Sequence, residues 1–122
     1  MEDHETDRLR LGRSGEDAAV RYLEKRRYKI IERGFRMLRG EIDIIARDGP
    51  TIVFIEVKTR RGLGFGPPAA AVTPAKQRQI RRIAQAYLHR RGFGRSFCRF
   101  DVISILAEAD GALRFEHLKD AF

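Results

Sequence analysis

Gly40-Glu41-Ile42-Asp43-Ile44-Ile45-Ala46-Arg47-Asp48-Gly49-Pro50-Thr51-Ile52-Val53-Phe54-Ile55-Glu56-Val57-Lys58 is the stretch that decides the fold. Two runs rich in β-branched residues flank Asp48-Gly49, a strong signal for a two-residue hairpin turn. Side chains alternate along a strand, so Glu41, Asp43 and Ile45 share one side of the first run. Ile52, Phe54, Glu56 and Lys58 share one side of the second. With Asp48-Gly49 as the turn, Arg47 faces Pro50, Asp43 faces Phe54 and Glu41 faces Glu56, leaving Asp43 and Glu56 as diagonal neighbours. All four ionisable groups then leave one face, and a register slip of two would not change that face.

Ordinary strand logic would turn such groups to solvent. Here, however, Ile42, Ile44, Val53, Ile55 and Val57 occupy one face and Ile45, Ile52 and Phe54 the other, so both faces are built for burial. Carboxylates buried dry are costly, and a cluster of them calls for a partner.

Outward from the hairpin, the flanking segments read as further elements. Upstream, Ser14 looks like a helix N-cap, with Glu16 and Asp17 in the first turn and an apolar stripe of Ala19, Val20 and Leu23 running to about Arg27. Residues 1–12 are polar and without period, and read as a flexible N-terminal tail before a single domain over 13–122. A strand follows from Tyr28 to about Met37. Downstream, residues 60–74 hold Gly62, Gly64, Gly66, Pro67 and Pro68 and form a loop, a candidate flap over the strand ends. Thr73-Pro74 starts a second helix, with Ile80, Ile83, Ala84, Tyr87 and Leu88 as its buried stripe and Arg78, Arg82 and His89 opposite. Gly92 and Gly94 end it. Strands over 99–106 and 113–118 complete the order α-β-β-β-α-β-β: an α/β fold with a mixed sheet flanked by helices.

Both helices offer an ionisable group to the strand face that already carries four. Glu16 lies on the apolar stripe of the first helix, and Lys76 lies one turn before Ile80 on that of the second. Aspartate and glutamate oxygens without histidine or cysteine suit a hard cation, Mg²⁺ or Mn²⁺. Such an ion polarises a phosphoryl group, and a lysine beside it can orient water or stabilise charge on phosphorus.

Charge distribution points the same way. The 122-residue chain has 25 Lys+Arg, 17 Asp+Glu and a net charge of +8. Between Val57 and Phe100 there are eleven basic residues and no acid, while the rest of the chain carries 14 basic and 17 acidic residues. Such a segment suits a polyanion, nucleic acid above all, with Arg60, Arg61, Lys76, Arg78, Arg81 and Arg82 as the phosphate-binding candidates. No apolar run could span a bilayer, so no membrane role is expected. The acidic first residues do not resemble a signal peptide, and the single Cys suits a reducing cytoplasm. Cys98 reads as a small core residue, Asp101 as a hydrogen-bonded structural acid, and His4, His89 and His117 as having no partner at metal or catalytic spacing. Phe65 and Phe93 could stack on bases or pack in the core.

Asp43 followed by Glu56-Val57-Lys58 is similar to the signature of the PD-(D/E)XK nuclease superfamily. More closely, the chain resembles the YraN-like family of small bacterial proteins, distantly similar to archaeal Holliday junction resolvases. The likeness rests on Gly12-Arg13, residues 15–19, 40–46 and 53–60, Phe65-Gly66-Pro67, Ala71-Val72-Thr73 with Lys76, Arg99-Phe100-Asp101-Val102 and Ala121-Phe122. It implies a restriction-endonuclease-like core with Asp43 and Glu56 as metal ligands, Lys58 as the catalytic lysine, Glu16 as the helix acid and Glu41 near the metal. It also implies Mg²⁺ or Mn²⁺ as cofactor, DNA (branched or single-stranded) as substrate, and, by analogy with the resolvases, a homodimer. The chain departs from the pattern at Arg33-Gly34 and Leu38-Arg39, and has Ile42-Asp43 for the leading Pro-Asp. The alternative is a nucleic-acid-binding module that keeps the fold and cuts nothing.

Overall fold

A computed structural model describes residues 4–61 and 72–122, with side chains from Ser14 onward. Its elements are α1 (His4–Lys25), β1 (Lys29–Met37), β2 (Gly40–Asp48), β3 (Thr51–Arg61), α2 (Pro74–Arg90), β4 (Phe97–Ala107) and β5 (Leu113–Leu118). The five strands form one sheet in the order β1-β2-β3-β4-β5. Every neighbouring pair is antiparallel except β3 and β4, which run parallel because α2 carries the chain across between them. The mixed α/β architecture and the element order are those read from the sequence.

Each face of the sheet is covered by one helix. Ile80, Ile83, Ala84 and Tyr87 of α2 pack on Ile45, Ile52, Phe54, Phe100 and Val102. Ala18, Ala19 and Leu23 of α1 pack on Ile44, Ala46, Val53, Ile55, Ile103 and Ile105. The central strands are therefore buried on both sides, which is why their apolar residues do not alternate with polar ones. Thr73 caps α2, its side chain accepting from the Lys76 N–H at 3.2 Å, with Pro74 in the first turn. At the other end Gly92 (φ 72) lets its N–H reach His89 O and the Phe93 N–H reach Leu88 O, closing the helix as the glycine predicts.

Four expectations need correction. The helix α1 begins at His4, not at Ser14, so residues 4–12 are helical and Ser14 caps nothing. That run contains no proline, and its acids precede its arginines, the polarity a helix favours. Second, the β2–β3 turn is Gly49-Pro50, because Asp48 pairs with Thr51 and Arg47 with Ile52. Gly49 has φ 58 and proline cannot follow it into positive φ, the requirement of a II′ turn. The register is shifted by two, and Glu41 no longer faces Glu56. Third, Cys98 is exposed at the opening of β4 beside Phe97 rather than packed in the core. Fourth, His117, without a partner at metal or catalytic spacing in the sequence, meets the Asp101 carboxylate of the neighbouring strand at 2.7 Å. The Gly62–Pro68 flap and Phe65 lie outside the described residues. Phe93 packs against the α2-side core, 6.3 Å from the Tyr87 ring.

Candidate metal-binding site

The β2–β3 ladder runs from Asp48↔Thr51 to Ile44↔Ile55, where the pairing ends. Ile42 packs with the α2-side core and Ile44 with the α1-side core. Residues two apart in a regular strand share a face, so β2 rotates about its axis at Asp43 as it leaves β3. Asp43 fills the gap this opens, its Oδ2 accepting from the Val57 N–H at 2.8 Å. A side chain thus replaces the acceptor that a continuing ladder would have supplied, and the carboxylate is pinned between two diverging strands.

Glu56 lies next to it on β3. It follows Ile52 and Phe54 toward α2 and is only 3% exposed. Its Oε1 is buried with no hydrogen-bond partner. Burial first, then the neighbouring Asp43 charge, push the Glu56 carboxyl up to about 8. Two ammonium groups oppose that shift: Lys76 from the first turn of α2, and Lys58 two residues along β3. Lys76 has the larger influence of the two, so the helix lysine that the sequence turned toward the strand face, and also counted among the phosphate contacts, stands beside the acids.

Glu16 approaches from α1. Burial, Asp43 and, to a smaller extent, Glu41 raise its carboxyl, while Arg33 of β1 draws it down through a 3.3 Å contact. Arg33 also donates to Asp17 at 2.6 Å, tying the acidic turn of α1 to β1. Glu41 is half-buried and sits 3.7 Å from Arg36, its cross-strand neighbour. It lines a cleft of about 590 Å³ together with Arg36, Met37, Arg39, Lys76 and Gln79.

Two glycines permit these approaches. A Cβ on Gly15 would overlap Thr59 Oγ1, so only glycine lets α1 lie this close to the end of β3. A Cβ on Gly40 would come within 2.7 Å of Ile83 Cδ1 and Gln79 Cδ, which brings β2 against α2. Neither glycine, nor Arg33, stood out as functional in the sequence; the nearest signal was the position of each glycine immediately before an acid.

The basic candidates are dispersed. Lys76 is at the acids. Arg60 is half-buried and Arg61 exposed at the end of β3. Arg78 and Arg82 are exposed on the outer side of α2. Arg81 is on another flank, its guanidinium 4.8 Å above the Phe100 ring and 5.7 Å from Phe122.

Among the described residues, no three His, Cys, Asp or Glu side chains gather tightly enough to hold an ion by themselves. A close pair with an unpartnered buried oxygen still fits one hard cation well. Mg²⁺ is commonly held by one or two carboxylates, with water and substrate phosphate completing its shell. Asp43 and Glu56 are the pair that could hold it, with Glu16 close enough to feel the charge of Asp43 and, to a smaller extent, of Glu41.

Comparison with known proteins gives a consistent relationship. The model of uncharacterised protein family UPF0102 matches residues 15–105. The chain is similar to a UPF0102 protein of Geobacter sulfurreducens, at 55% identity over 92% of this chain and 88% of the relative. A UPF0102 protein of Symbiobacterium thermophilum is 49% identical over 93% of this chain and 96% of its own. One from Rhodococcus jostii is 48% identical over 93% and 97%.

Proposed function

This chain belongs to the UPF0102 family, and we propose that it is a metal-dependent endonuclease that hydrolyses phosphodiester bonds in DNA, branched or single-stranded. The observation that carries the reading is Glu56: a buried carboxylate with an unpartnered oxygen, pressed against Asp43, with two lysines beside it. A protein gains nothing in stability from that arrangement without a cation to complete it.

Asp43 and Glu56 would hold Mg²⁺ or Mn²⁺. When bound, the ion would supply positive charge against the phosphoryl group and lower the pKa of a coordinated water. The chain's own residues do the rest. The Val57 N–H fixes the angle of Asp43. Lys58 and Lys76 place ammonium groups where charge grows on the phosphoryl oxygens. Glu16, braced by Arg33, can orient a water or take its proton, and Glu41 supports the same shell. Arg60, Arg61, Arg78 and Arg82 offer phosphate contacts, and Arg81 serves from its stacked position. The cytoplasm is the compartment this reading expects.

The test uses labelled duplex, flap, four-way and single-stranded DNA with Mn²⁺, Mg²⁺ or EDTA. The expected result is metal-dependent cleavage, reduced by at least ~100-fold in Asp43→Asn and in Lys58→Ala. Salt-sensitive binding with no cleavage of any substrate would overturn the enzyme and leave a nucleic-acid-binding module.

A further inference from the structure

The flank of α1 turned away from Glu16 carries a second feature. Ala18, Arg21, Tyr22 and Lys25 fall at i, i+3, i+4 and i+7, along one side of the helix. Glu16 and Asp17 are turned to Arg33 of β1 on the other side. The first flank meets the edge strand β5 across a groove of about 290 Å³, lined by Arg21, Tyr22, Lys25, Arg26, Leu113 and Phe115. Three cations line it, and no acid does.

Its centre is aromatic. The Tyr22 and Phe115 rings stack with centroids 5.1 Å apart and planes 12° from parallel. The Arg26 guanidinium lies 3.6 Å over the Tyr22 ring and donates to Tyr22 O at 3.2 Å. Beneath, the His117 ring meets Tyr22 at 5.7 Å and is itself held by Asp101, so the platform rests on a buried network. Phe115 is nevertheless 37% exposed and Leu113 40%. An aromatic stack fixed from below and open above, rimmed by Arg21 and Lys25, matches the recognition of unpaired bases: ring against base, cation against phosphate.

We infer that this groove binds an unpaired stretch of polynucleotide, with a base on Phe115 and its flanking phosphates at Arg21 and Lys25. A second copy of the chain is a poor occupant, because it would bring its own Arg21, Lys25 and Arg26 to like charges. A duplex offers no free base face. The inference does not depend on cleavage, since the groove is on the opposite flank of α1 from Glu16.

Binding of short fluorescein-labelled oligo(dT) and oligo(rU) to the full chain, by anisotropy in EDTA, is the test. Phe115→Ala should weaken binding about tenfold, and Phe115→Tyr should restore it. The exposed pair Arg21→Glu with Lys25→Glu should lower the salt slope by roughly 1 to 1.5. Wild-type affinity in all the groove variants, or absence of oligonucleotide binding while Mn²⁺-dependent cleavage persists, overturns the groove and leaves the metal site standing. A glutamate-rich peptide that outcompetes the oligonucleotides also overturns it, in favour of an acidic protein partner.

Discussion

Glu56 and Asp101 sit on neighbouring parallel strands, one register step apart, and face opposite sides of the sheet. Glu56 is level with Val102 and faces α2; Asp101 is level with Ile55 and faces α1. Both are buried carboxyls, at 3% and 0% exposure. Asp101 is saturated. It accepts from Arg99 Nε at 2.9 Å, Arg99 Nη2 at 3.0 Å and the Asp120 N–H at 3.0 Å, and meets His117 Nε2 at 2.7 Å. Arg99 is anchored in turn by Asp48 at 3.1 Å and the Tyr28 hydroxyl at 2.7 Å. Burial alone would raise the Asp101 carboxyl, but the bonds from His117, Arg99 and the Asp120 N–H outweigh it and hold it low. Glu56 has the same burial and a carboxylate neighbour in place of a guanidinium, so its carboxyl goes up. One acid has been completed by the protein and is structural. The other has been left incomplete, with a buried oxygen that no protein group satisfies, and on that the proposed cation site rests.

The largest expected effect comes from the completed acid. Asp101→Ala strands the Arg99 guanidinium in a half-buried position and leaves His117 without its partner, at a cost of about 3–5 kcal/mol in urea unfolding. If stability barely moves, Asp101 is no better served than Glu56 and the contrast fails.

Glu56→Gln should do the reverse. In EDTA at pH 8 it removes a carboxyl the fold disfavours ionising, and should raise stability by on the order of 2–3 kcal/mol while abolishing any Mn²⁺-induced rise in melting temperature. The sign follows from linkage. With a folded pKa near 8 against 4.5 unfolded, the native state holds its proton more tightly. Stability of the metal-free protein therefore falls as pH climbs between those values, by up to about 1.4 kcal/mol per unit. Asp101, held low, works oppositely: its contribution is present above its ordinary range and disappears as pH drops through and below 3.8. Melting curves in EDTA should peak in mildly acid buffer, and in Glu56→Gln the decline on the alkaline side should flatten. A wild-type curve flat from pH 5 to 8 would rule out a Glu56 carboxyl raised by its burial and by Asp43.

The smallest effect sharpens the comparison within the site. Lys76→Met should move the Glu56 titration midpoint upward by more than Lys58→Met, as read by carboxyl ¹³C shifts, with less than about 1 kcal/mol of stability lost in either. A larger rise in Lys58→Met than in Lys76→Met would mean that Lys58 is the closer cation.

Most of the fold was legible because it depends on neighbours in sequence. Thr73-Pro74 begins α2 and Gly92 ends it for local hydrogen-bonding reasons, and the 3.6-residue stripe from Ile80 to Tyr87 selects the buried side. The hairpin was legible too, though its turn was misplaced by one residue at each strand, since Asp48-Gly49 and Gly49-Pro50 are both competent turns. Asp43, Glu56 and Glu16 were readable as a cluster from periodicity. The rotation of β2 at Asp43 was not, because strict alternation assumes a ladder that continues, and this one stops at Ile44. His117 and Asp101 are sixteen residues apart on paired strands, a contact no spacing rule anticipates.

Residue type and order alone settled the element order and which carboxylates would stand near one another, because those follow from local backbone preference and side-chain period. Only tertiary structure decided how each carboxylate is treated. Whether a buried acid finds an arginine or another acid depends on which strands splay and which stay paired. Those distances arise only when the sheet closes between its two helices.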